Sequence, residues 1–70
     1  MREQKVLSIK LKDGTKLLIV ASHIYQVESV EPSISRVYYS NDKQIDILRN
    51  IDWMTRFLSG NYDVSGADEA

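Results

Sequence analysis

The chain has 70 residues with nine Lys/Arg against ten Asp/Glu, a net charge of −1, a single histidine and no cysteine. One small domain is all this length supports, and without cysteine there is no disulfide framework, thiolate nucleophile, Cys-ligated zinc or iron–sulfur cluster. Residues 1–60 hold all nine basic side chains against seven acidic ones, a net of +2, while Asp63, Asp68 and Glu69 make the last ten residues −3. A body so weakly basic does not neutralise many phosphates, which argues against strong non-specific nucleic-acid binding.

In chain order, "KVLSIKLKDGTKLLIVA" comes first: Leu7, Ile9 and Leu11 alternate with Ser8, Lys10 and Lys12 before Asp13-Gly14, and Leu17 and Ile19 resume the alternation. This pattern predicts a β-hairpin with a type I′ Asp-Gly turn. Leu18 and Val20 are apolar as well, which predicts a second strand buried on both faces and central in its sheet. The longest apolar run, Leu17 to Ala21, is too short to cross a bilayer as a helix, for which about 20 residues are needed. "MREQK" leads into the first strand without the apolar core of a signal peptide, so a cytoplasmic protein with no membrane partner is expected.

A short turn at Ser22-His23 precedes a strand through about Tyr25 to Val30, which Pro32 ends because proline has no N–H to give to a ladder. A second hairpin follows, from about Ile34 to Ser40, turning at Asn41-Asp42 and returning through "KQIDIL". Tyr38 and Tyr39 are adjacent, so they face opposite sides of the sheet. A two-residue turn would mix apolar and charged residues on both faces. A three-residue loop or a bulge instead sets Tyr39 opposite Ile45 and Val37 opposite Ile47, gathering these four on one face and leaving Arg36, Tyr38, Ser40, Gln44 and Asp46 on the other. On this reading Tyr39 is core and Tyr38 exposed; Ile34 falls on the polar face without explanation.

Asn50 then suits a helix N-cap, Asp52 the first turn, and Gly60 the residue just past the C-terminus. Between them "IDWMTRFLS" predicts a short helix buried along Ile51, Met54 and Leu58, with Phe57 beside them. Trp53 is about 100° from Met54 around the axis and sits at the boundary, as an edge-of-core ring or a partner anchor. "NYDVSGADEA", residues 61–70, is expected to be a disordered acidic tail after a single domain of residues 1–60. The expected fold class is α+β: a small antiparallel or barrel-like sheet of four to five strands, in two hairpins, with one C-terminal helix.

No catalytic pattern emerges. A nucleophile–base pair would need His23 with a serine, yet no Gly-x-Ser-x-Gly elbow presents one, and a turn histidine is better read as a surface or capping residue. Glu28 with Glu31, or Asp42 with Asp46, read as solvated edges, and a single glycine in "LKDGTK" is no phosphate loop. The expectation is a non-enzymatic chain without cofactor or metal.

"LKDGTKLLIVASHIYQVESVEP" followed by "VYYSNDKQIDILRNIDWM" resembles the FlbD-like small flagellar and swarming-motility proteins over about residues 9–58. It departs from that pattern at Asn41-Asp42-Lys43, where the family has glycine, at Asn50, where it has serine, and at Ala21-Ser22, where it has Asn-Pro. The element order also resembles part of a LytTR-type DNA-binding domain, although the basic residues of such a module are sparse here. The first resemblance implies a small bacterial accessory protein acting by protein contacts.

The leading expectation is thus a bacterial or phage protein-interaction or regulatory module, oligomeric or bound to a protein partner, with Arg36, Tyr38, Lys10, Lys12 and Trp53 as candidate partner-binding residues. One alternative is a nucleic-acid-binding regulator using Lys10, Lys12, Lys16, Arg36 and Tyr38. Another is a structural subunit that pairs its edge strands with its own copies.

Overall fold

The computed structural model describes residues 5–60 and 66–70. Its elements are β1 (Val6–Lys10), β2 (Lys16–Val20), a single 3₁₀ turn (Ala21–His23), β3 (Ile24–Glu31), β4 (Ile34–Tyr39), β5 (Lys43–Ile47), α1 (Ile51–Leu58) and β6 (Gly66–Asp68). They build two three-stranded sheets, β2-β1-β6 and β3-β4-β5, and one helix. This is the α+β class read from the sequence, in its open form: the sheets do not close into a barrel.

The first hairpin turns differently from expectation. Lys10 pairs with Lys16, the Leu11 N–H donates to the Thr15 carbonyl at 2.7 Å, and the Gly14 N–H donates to the Leu11 carbonyl at 3.0 Å. Gly14 alone of the Asp-Gly pair has positive φ, at 92°, so the turn is a three-residue loop ending in a left-handed glycine and not type I′. The Asp13 carboxylate accepts the Thr15 N–H at 2.8 Å, which holds the loop and its own pKa low. The extra residue sets Ile9 opposite Leu17 and Leu7 opposite Ile19, so the apolar sets coincide. β2 is an edge strand and not a central one, because β6 takes the place on the far side of β1, and Leu18 is 61% exposed.

In the second hairpin the faces are as expected and the pairing is not. Val37 lies opposite Ile45 and Tyr39 opposite Lys43, around a loop in which Ser40 and Asp42 have positive φ. The observed register is two residues from the expected one, and with a side-chain period of two that shift leaves every residue on its face. Ser35, on the inner face, is fully buried.

Leu7, Ile9, Ile19, Val37, Ile47, Met54 and Phe57 form the core. Fully burying such side chains contributes about 1.5–3 kcal/mol each. The helix begins where expected, with the Asn50 side chain accepting the Trp53 N–H at 2.7 Å, and Gly60 takes φ 86° just beyond its end. Its buried stripe is Met54 and Phe57; Leu58, expected within it, is 43% exposed. The helix packs over β3 and β4, which turns Phe57 inward and Leu58 away.

The expected disordered tail is corrected for residues 66–70; residues 61–65 lie outside the described residues. β6 runs parallel to β1, with Ser8 opposite Gly66, Ile9 opposite Ala67 and Lys10 opposite Asp68. On its other side the tail meets β5: Glu69 bridges to Ile47, the Leu48 N–H donates to the Asp68 carbonyl and the Ala70 N–H to the Asp46 carbonyl, both at 2.9 Å. Ala67 packs on the core, so the tail orders because it buries an apolar side chain and joins two ladders at once.

Candidate interaction surface

The outer face of β3-β4-β5 carries two of the candidate residues. Arg36 and Asp46 are cross-strand partners, and the guanidinium grips the carboxylate through Nε at 2.8 Å and Nη2 at 3.2 Å. Hydrogen bonding to Arg36 holds the Asp46 carboxyl below its ordinary range, and the same bond raises Arg36 further above its own. The Tyr38 hydroxyl donates to Glu28 Oε1 at 2.7 Å, which raises the Tyr38 pKa. Tyr25 is the extra residue of a bulge, since Ile24 pairs with Tyr39 and Gln26 with Tyr38; its ring sits 6.2 Å from that of Tyr38. Tyr38 is therefore half-buried under Tyr25 and not fully exposed, and the polar groups of this face largely satisfy one another.

A second surface lies where the tail, β5 and the helix meet. Arg49, just after β5, is fixed at three points: its carbonyl accepts the Ser35 hydroxyl at 2.7 Å, Nε and Nη2 donate to the Gly66 carbonyl at 3.1 and 2.7 Å, and the guanidinium lies 4.6 Å above the Trp53 ring. Trp53 stacks in turn on Phe57, with ring centres 5.5 Å apart and planes within 3°. One cleft beside this stack is walled by Lys10, Lys16, Arg49 and Asp68, a second by Asp52, Trp53 and Arg56, and Leu48 and Arg49 belong to both. Leu48 is 50% exposed between them.

The five candidates are thus divided. Arg36 and Tyr38 share the outer face of β4, and Lys10 and Trp53 stand at opposite ends of the double cleft. Lys12 is in the first hairpin loop, where its N–H donates to Glu69 Oε1 at 2.8 Å. Of the five residues of the nucleic-acid alternative, Lys10 and Lys16 are cross-strand partners in the first hairpin with Lys12 in its loop, while Arg36 and Tyr38 lie on β4 in the other sheet. Sequence reasoning missed Leu48, Arg49 and Tyr25. The signal for Leu48 was parity, since it continues Gln44 and Asp46 on the outward face of β5 and is apolar there.

Among the described residues no three His, Cys, Asp or Glu side chains gather as a metal site, and no helix is long and apolar enough to cross a membrane. No family model matches the chain, and neither a curated protein nor a solved structure matches it.

Proposed function

We propose that the protein is a small non-catalytic interaction module that docks a protein partner on the strip running from Lys10 and Lys16 across Leu48 and Arg49 to Trp53. The supporting observation is Leu48, an apolar side chain half exposed at the wall shared by two clefts and framed by an arginine stacked on a tryptophan. Arginine and tryptophan are the residue types enriched at binding hot spots, where an apolar centre sits inside a polar rim. Lys10, Lys16, Arg49 and Arg56 outnumber Asp52 and Asp68 along the strip, so the fitting partner is an acidic segment with an apolar residue at its middle. The resemblance to FlbD-like proteins agrees with this reading and extends it to a regulatory accessory role in the bacterial or phage-infected cytoplasm.

The same four basic side chains favour nucleic acid as a second reading. An array of acidic peptides with a central apolar residue, and short labelled DNA and RNA, distinguish the two. Peptide binding is expected to weaken about tenfold or more in Leu48→Asp and to be unchanged in Tyr38→Ala. Nucleic-acid binding that falls steeply with salt, without peptide binding, would replace this reading with the second.

A further inference from the structure

We propose that the exposed edge of β2 pairs antiparallel with the β2 edge of a second copy of the chain, about a twofold axis through Leu18. The bond pattern of the first hairpin decides which groups face outward. Leu11 bonds Thr15, and Ala21 donates to the Lys5 carbonyl at 2.8 Å, with an unbroken register between them. Odd-numbered residues therefore share the hairpin's bonds, and the N–H and C=O groups of Lys16, Leu18 and Val20 point away from β1. Among the described residues no strand pairs with this edge, and the Val20 carbonyl alone is engaged, at the start of the 3₁₀ turn.

That edge is self-complementary. An antiparallel copy centred on Leu18 places Leu18 against its own counterpart, Lys16 against Val20 and Leu17 against Ile19. Every outward backbone group in the strand then meets a partner, and the single charge of β2 never faces its like. The inner-face row of Leu7 and Ile19 continues into a second apolar row, and Leu18 loses its exposure. This is the isologous arrangement of a closed dimer.

The other free edge, β3, has the devices that prevent such pairing. Its register breaks twice, between Ile24 and Gln26 and between Ser29 and Glu31, and it carries Glu28 and Glu31 next to Pro32. Bulges, charges and proline are how edge strands avoid one another. β2 has neither bulge nor proline, and only Lys16 is charged.

The inference shares only Lys16 with the partner-binding strip, and its test reads self-association alone. Sedimentation of the full chain over a concentration series should give a monomer–dimer equilibrium. Leu18→Lys and Leu18→Glu each set like charges across the axis and should weaken the dimer at least about tenfold. Because the side chain is exposed, both should keep the native circular dichroism spectrum. Mixing the two variants should restore association as a heterodimer, resolved by native mass spectrometry. A wild-type chain that stays monomeric at the highest concentration, a dimer indifferent to both variants, or folded variants whose mixture does not associate would each overturn the proposal.

Discussion

The buried Ser35 hydroxyl donates to the Arg49 carbonyl across 2.7 Å, tying the inner face of β4 to the turn that launches the helix. Through this one bond the backbone of Arg49 is set while its guanidinium reaches both the Gly66 carbonyl and the Trp53 ring. Ser35→Ala leaves that carbonyl without its donor in a part-buried place, and should lower stability by about 1–3 kcal/mol in urea unfolding.

Arg49→Lys tests the other end of the same residue. A lysine retains the charge but has no planar fork for the Gly66 carbonyl and stacks less well on Trp53. Amide hydrogen exchange at Ala67, Asp68 and Glu69 should quicken relative to β4 amides; equal protection in both proteins would show that the tail is held by its ladders alone.

The two tyrosines separate by face. Tyr39→Ala removes a ring packed against the core and should cost about 2 kcal/mol, less than a fully buried aromatic. Tyr38→Ala loses contact with Tyr25 and an exposed bond to Glu28, and should cost below about 1 kcal/mol. Thermal melts that gave equal losses would contradict the assignment of faces.

Acid should reveal the Arg36–Asp46 pair. Its bond to Arg36 gives the Asp46 carboxyl a lower pKa in the folded chain than unfolded. In the window between the two values the unfolded chain binds more protons, so the stability from this group is complete above about pH 4 and lost as pH falls through the lowered value. Both side chains are about a third exposed, at 34% and 35%, which limits the effect to about 1 kcal/mol or less. Unfolding at neutral and at strongly acidic pH should show a shallower acid loss in Asp46→Asn than in the wild type.

Alternation made the β-rich part legible. Val37, Tyr39, Ile45 and Ile47 could be assigned to one face because parity alone fixes it, whereas their pairing depends on how many residues the loop takes and slid by two. Asn50 was readable as a cap because its chemistry is local. Leu58 was misread because helical spacing alone does not say which side the sheets will cover. β6 escaped altogether: Gly66, Ala67 and Asp68 have no alternation, and what orders them is a parallel partner near the opposite end of the chain. The cleft between Lys10 and Leu48 was hidden for the same reason, since Gly66, Ala67 and Asp68 form part of its wall.

The placement of β6 makes its pairing with β1 strongly non-local, which favours its forming late. β1 and β2 are local neighbours and can zip early, but the Lys12 N–H waits for Glu69, 57 positions away. Closing a flexible loop of that length costs on the order of 3–4 kcal/mol of chain entropy, a cost that falls as the strands and helix between Lys12 and Glu69 form and shorten the loop. Until then the β1-β2 hairpin has two bare edges, so the interval before the last strand arrives is when the chain is most exposed to wrong pairings. Refolding should therefore slow with crowding by its own copies, and the final residues should govern its rate more than their few contacts suggest.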